Sequence, residues 1–237
     1  MPVASMLLAG MLAVAVGQVG VVSVSSLQTS STTGETRSIS GVRDVVFSMP
    51  GSLIITQGTN ESIVIDADSS IARSVVTRMS GSRLVIERTD GSSSDSSITI
   101  LLTVKDLASI EQTGEGHIEA EGLTTGSLRL VTRGAGDVHI AGMDVDSLRV
   151  ATYGVGAIDL SGSATQQDVE MYGAGVYRAD RLVSSDTTVE LRGAGRVAVQ
   201  TTNTLDARIW GSGVIEYTGN PRVNQDVSGS GRVTHRG

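Results

Sequence analysis

Gly-x-Gly returns seven times in the second half of this chain, with first glycines at Gly114, Gly134, Gly154, Gly173, Gly193, Gly211 and Gly229. The intervals are 20, 20, 19, 20, 18 and 18 residues. SLRLVTRGAGDVHIAG from Ser127 and SLRVATYGVGAIDLSG from Ser147 share one template: a strand, the glycine pair, a second strand. A unit of about 20 residues cannot bury an apolar face alone, so such repeats are stable only when stacked on one another. That requirement narrows the fold more than any other feature of the chain.

Aligned on the second glycine, the residues at +2 are Ile118, Val138, Ile158, Tyr177, Val197, Ile215 and Val233. At +4 they are Ala120, Ile140, Leu160, Ala179, Val199, Tyr217 and His235. Four residues before the first glycine stand Ile110, Leu130, Val150, Val169, Val189, Ala207 and Gln225. Apolar positions two apart, with mostly polar ones between, mark strands with one buried face. The predicted fold is all-β: a β-solenoid resembling a right-handed parallel β-helix, about 20 residues per coil. With coils about 4.8 Å apart, seven copies span on the order of 30 Å.

The glycine pairs then read as structural corners: Gly114 and Gly116, Gly134 and Gly136, Gly154 and Gly156, Gly173 and Gly175, Gly193 and Gly195, Gly211 and Gly213, Gly229 and Gly231. A dinucleotide-binding loop would need a third glycine and then a helix. Gly136 instead leads into DVHIAG, a strand pattern.

Composition agrees with short strands packed by aliphatic side chains: 39% of residues are hydrophobic but only 3% aromatic, with 29 glycines and 3 prolines. A net charge of −7 excludes the basic footprint of a nucleic-acid partner. Lys105 is the only lysine, which leaves little room for lysine chemistry, and there is no cysteine. The domain must therefore hold together by packing alone.

No charged side chain precedes Glu35, and Val3 to Val24 is largely apolar. Residues 1–27 read as a signal peptide, with Ala15-Val16-Gly17 as a small-x-small cleavage site. The run is also long enough for an uncleaved membrane anchor, which would be the only contact with a membrane. Either reading exports the rest, to the periplasm, the outer surface or the medium. Residues 28–38 form a polar tether, and 39–237 the domain. Within it, 39–107 supply less regular opening strands (VRDVVFSM, GSLIITQG, ESIVIDAD, SRLVIERT, SITILLTV) and 108–237 the seven repeats. The opening strands are expected to cover the first coil, and TDGSSSDSS reads as a loop.

The order of these pieces resembles a known family. ISGVRDVVFSMPGSLIITQG, ESIVIDAD, SRLVIE, LLTVKDLASIEQTGEGHIE, the GAG corners and the closing GSGVIEYTGNPRVNQDVSGSGRV look like the putative auto-transporter adhesin, head GIN domain family. The likeness runs from about Ile39 to Val233. Its most specific part is the stretch from Gly211 to Gly231, with Ile215, Tyr217, Gly219, Asn220 and Pro221 in the expected order. The resemblance implies a β-helix-like domain outside a bacterial inner membrane, often behind a signal peptide. It implies no reaction.

Stacking converts equivalent positions into files. Just before the corner, with parity opposite to the buried row, come Thr113, Arg133, Tyr153, Tyr172, Arg192, Trp210 and Ser228. Arg133, Tyr153, Tyr172, Arg192 and Trp210 are the candidate binding residues. Aromatic planes beside guanidinium groups can receive sugars, or they can stack on one another along the file through cation–π contacts. After the corner, Glu119, His139 and Asp159 share one outward file, and His117 and Asp137 the next. These are metal-ligand and acid–base residue types, though alternating charges also suit a solvated sheet face. His235 falls in the inward row of the last repeat.

The reading is an exported, non-enzymatic, adhesin-like surface for glycan or protein, with no cofactor. Two alternatives stand beside it. One is a polysaccharide-active enzyme using His117, Glu119, Asp137 and His139; the other is an envelope-sensing module on an uncleaved N-terminal helix.

Overall fold

The computed structural model describes residues 34–89 and 98–237. The export segment, most of the tether and nearly all of the Ser-rich loop lie outside the described residues. What is described is a β-solenoid of about six turns, roughly 20 residues per turn. Strands β8 (Ser109–Gly114) and β9 (His117–Glu121) flank the first corner. The next four strands bend through successive walls: β10 (Thr124–Gly134), β11 (Asp137–Gly154), β12 (Ala157–Gly173) and β13 (Val176–Gly193). They pair in parallel with their neighbours, Leu130 with Val150, Val150 with Val169, and Val169 with Val189. Between Ile140 and Met143 the register shifts at an irregularity where the chain turns to its next wall.

The inward rows are where parity places them except on the last turn, where among the described residues nothing stacks beyond and Gln225 is exposed and Val233 only half-buried. Ile118, Val138, Ile158, Tyr177, Val197 and Ile215 are all buried, as are Ile110, Leu130, Val150, Val169, Val189 and Ala207. They belong to one continuous core cluster running the length of the stack. Each fully buried aliphatic side chain contributes roughly 1.5–3 kcal/mol, and the same contribution recurs turn after turn.

The two glycines of a corner serve different needs. Gly134 has φ +133°, a conformation closed to L side chains at low cost. Gly136 needs no unusual φ, but it is buried, and a Cβ there would run into the Gln112 side chain and the carbonyl of Gly116. Corners also bond to corners: the amides of Ala135 and Gly136 donate to the Gly114 carbonyl (3.1 and 3.0 Å), and that of Val155 to Gly134 (3.1 Å). These N–H groups are spent on the preceding turn, so they form no phosphate cradle.

A few polar side chains lie inside. Gln167, Tyr177 and Ser184 are fully buried and bonded together: Gln167 Nε2 donates to the Tyr177 hydroxyl (2.6 Å), and Ser184 Oγ donates to Gln167 Oε1 (2.8 Å). Burial pushes the Tyr177 phenol pKa up strongly, against the Gln167 hydrogen bond.

The opening segment departs from sequence order. Strands β2 (Asp44–Ser48) and β3 (Ser52–Gln57) make a turn that sits between β8–β9 and a turn built from β6 (Arg83–Arg88) and β7 (Thr99–Val104). The end is then closed by antiparallel strands. β5 (Val75–Ser80) pairs with β6, β4 (Ser62–Asp66) with β7, and β1 (Glu35–Arg37) with β4. Neither β5 nor the single-turn α1 (Ser69–Ala72) is evident in the sequence pattern. β1 also corrects the tether, whose last residues are strand. Arg37 holds it there, donating to the carbonyls of Val75 (2.8 Å) and Ala72 (3.2 Å) and to Thr77 Oγ1 (3.1 Å).

At the other end β14 (Arg196–Gly211) pairs with β16 (Arg222–Gly229), and β15 (Val214–Thr218) with β17 (Arg232–His235). His235 is exposed on this last turn, stacked on Tyr217 at 4.9 Å and within 2.9 Å of the Gly219 carbonyl. Among the described residues no helix is long and apolar enough to cross a membrane.

Candidate functional site: an arginine–aromatic ladder on the solenoid wall

The wall that enters each corner carries three outward files, because outward positions recur every second residue and strict parallel register repeats them every turn. The file nearest the corner pairs Thr113 with Arg133, Arg133 with Tyr153, Tyr153 with Tyr172, Tyr172 with Arg192, Arg192 with Trp210, and Trp210 with Ser228. The five candidate binding residues therefore stand in one line. Tyr153 and Trp210 are 42% and 37% exposed, which separates them from the core.

The line stacks on itself. Arg133 lies over the Tyr153 ring at 5.4 Å, and Tyr153 and Tyr172 are parallel-stacked with centroids 4.9 Å apart and planes 8° from parallel. Arg192 covers Tyr172 at 5.2 Å and Trp210 at 4.7 Å, and donates to the Tyr172 hydroxyl at 2.7 Å. Of the two uses open to this file, mutual stacking is the geometry present. The ring faces between turns are thus occupied, and what the ladder offers outward is edges, hydroxyls and guanidinium N–H groups. Trp210 differs, since its next neighbour in register is Ser228, which has no ring to lay on the indole.

Carboxylates in the middle file anchor the guanidinium groups. Glu111 pairs with Arg133 and, at 2.9 Å, with Arg83; Glu190 pairs with Arg192 at 3.0 Å and Arg208 at 3.2 Å. Partial loss of solvent raises the Tyr172 phenol above its ordinary pKa, and the Arg192 charge opposes that rise.

The second candidate group keeps its register, with Asp137 beside His117, and His139 beside both Glu119 and Asp159. Its side chains nonetheless pair off. His117 Nε2 meets Glu119 Oε1 at 2.9 Å, and Asp137 Oδ1 accepts from the Ala157 amide at 2.8 Å. Asp159 accepts from Arg181 at 2.8 Å, while His139 stays 4.0 Å away. Among the described residues no three His, Cys, Asp or Glu side chains surround a common point that could hold a metal ion.

Beside the ladder lies a feature that sequence reasoning did not single out. An open depression of about 470 Å³ is lined by Arg129, Arg149, Ala151, Tyr153 and Glu170, among others. Its floor includes Ala151, at the middle-file position where the next turn carries Glu170; Val131 holds the same position one turn earlier and is buried. The signal was available: these residues lie two and four positions before the ladder, with the same parity.

Solved structures share most of this architecture. A putative adhesin from Bacteroides fragilis is 24% identical, with a TM-score of 0.74 over 87% of this chain and 97% of that one. A putative adhesin from Parabacteroides distasonis is 21% identical, with a TM-score of 0.68 over 86% and 96%. A third, described as a putative lipid binding protein from Parabacteroides distasonis, is 20% identical, with a TM-score of 0.67 over 88% and 98%. At these identities the likeness is one of fold. No curated protein matches the sequence. The family model for the putative auto-transporter adhesin, head GIN domain, matches residues 43–221, from just before β2 to the approach to β16. With the glycine-cornered solenoid between those limits, the chain belongs to the putative auto-transporter adhesin, head GIN domain family.

Proposed function

We propose that this domain is a non-enzymatic binding module exposed outside the cytoplasm, and that the ladder wall is the surface it presents to an extended polymer, a glycan first. One observation carries the reading. Five side chains from five successive turns are held in a straight, self-supporting file on the outward side. Such a file costs little side-chain entropy on binding, because stacking has already restricted its rotamers. Its spacing of about 4.8 Å per turn matches a ligand that repeats along its length better than a compact one. The family's adhesin description and the apolar first residues support an exported location.

The test is retention of the full chain on an immobilised glycan panel, comparing wild type with Trp210→Ala and Arg133→Ala. Both side chains are surface groups, so both variants should keep the wild-type circular dichroism spectrum. Loss of retention in the two variants is expected. Equal retention of all three proteins would overturn the assignment of binding to this wall.

A further inference from the structure

The depression beside the ladder carries an unusual charge pattern. Register places Arg129 directly beside Arg149 on the next turn. Like charges at directly opposed positions are destabilising, and elsewhere on this wall the arginines are compensated by Glu111 and Glu190 in the middle file. On the two turns that carry Arg129 and Arg149, the middle file holds Val131 and Ala151 instead. A glutamate at either position would have neutralised the pair, yet both are small and apolar. Among the described residues Arg129 has no carboxylate partner, and Arg149 approaches Asp168 only to 3.7 Å.

Across the apolar floor the complement is equally open. Among the described residues Glu170 has one weak contact, with the Tyr172 hydroxyl at 3.5 Å, which leaves its oxygens able to accept. The volume, about 470 Å³, lies within the range of roughly 300–1,000 Å³ usual for small-molecule sites. Two further carboxylates line the depression, Asp168 beside Arg149 in register and Glu190, which is held by Arg192 and Arg208. The site thus offers the paired guanidinium groups of Arg129 and Arg149 at one end, Ala151 in the middle and the Glu170 acceptor at the other end.

Resting on the reading of this wall as a glycan surface, we infer that the depression binds an acidic sugar residue, a hexuronate unit within a polysaccharide. Its carboxylate lies against the Arg129 and Arg149 guanidinium groups, whose planar N–H pairs match a carboxylate edge to edge. The C–H face of the sugar ring covers Ala151, and ring hydroxyls donate to Glu170.

The experiment is titration calorimetry of the full chain with an oligogalacturonate and with a neutral galacto-oligosaccharide of equal length, at low salt and at 0.3 M NaCl. Binding of the acidic oligomer is expected, at least tenfold weaker at the higher salt because the contacts are exposed charges. Arg129→Gln and Arg149→Gln should each weaken it at least tenfold while leaving the melting temperature within a degree or two of wild type. Equal affinity for the acidic and neutral oligomers, or unchanged affinity in both arginine variants, overturns the proposal. If Trp210→Ala abolishes binding and the arginine variants do not, the acidic-sugar site falls and the ladder reading stands. If wild type binds neither oligomer, the acidic-sugar site falls, and retention on the wider glycan panel decides the ladder reading separately.

Discussion

Replacing Tyr177 by Phe removes one oxygen from a sealed interior, and the consequence can be worked from the contacts. Tyr177, Gln167 and Ser184 are each fully buried, and the Tyr177 hydroxyl accepts the Gln167 Nε2 hydrogen at 2.6 Å. Phe leaves that amide proton without an acceptor, which costs about 1–3 kcal/mol. For a domain of this size each kcal/mol moves the melting temperature by about 2–4 °C, so a loss of about 4–8 °C is expected for a mid-range cost. Gln167→Leu should cost more, because it strands both the tyrosine hydroxyl and Ser184 Oγ. The triple variant Tyr177→Phe, Gln167→Leu, Ser184→Ala removes every member and should recover part of the loss. Alkaline titration gives an independent check. Burial raises the folded pKa of Tyr177 above its unfolded value near 10.0, so the unfolded chain ionises first and stability falls as pH rises beyond 10. Between pH 10 and 11 wild type should lose about 1 kcal/mol more than Tyr177→Phe. Thermal and denaturant unfolding at both pH values measure all of this. A Tyr177→Phe change below about 0.5 kcal/mol, or a triple variant worse than the sum of the singles, would refute the buried network as described.

Three more outcomes are expected from other parts of the structure. Gly193→Ala places a Cβ on a residue with φ +134° and drives it into the Gly173 carbonyl oxygen, so a loss of at least about 1–3 kcal/mol is expected in thermal unfolding. Arg192→Gln uncovers one face of the only tryptophan, so Trp210 emission should shift to the red; Tyr172 should titrate at still higher pH, and stability should fall by less than about 1 kcal/mol because the site is exposed. Asp186 has its pKa lowered by a hydrogen bond from Ser185 above all, then by Thr204, Asn203 and Arg222, while desolvation opposes. Its contribution is therefore present above the unfolded value of 3.8 and lost as pH falls through the folded one, so the melting difference between wild type and Asp186→Ala should shrink from pH 7 to pH 3.

The period of about 20 residues and the two-residue alternation were enough to place Ile118, Val138 and Ile158 inside and Arg133, Tyr153 and Trp210 outside. Parity is a local property, and once the coils stack in parallel it propagates without further information. The same argument put Glu119, His139 and Asp159 in one file. It did not say where their side chains would turn, because Arg181 reaches Asp159 from the irregular stretch where register shifts.

What the amino-acid sequence alone determined, then, was a repeated unit, the faces it buries and the glycine corners that let the turns close. Tertiary structure decided which turn sits on which. The β2–β3 turn lies between β6–β7 and β8–β9, and no local signal specifies this, since these strands are aliphatic and alike and their pairing depends on closing long loops. It also decided what the outward files do. Aromatic and arginine side chains spaced about 20 residues apart become a ladder only when neighbouring turns bring them to stacking distance, and Arg129 and Arg149 border one depression only because parallel register sets their turns side by side.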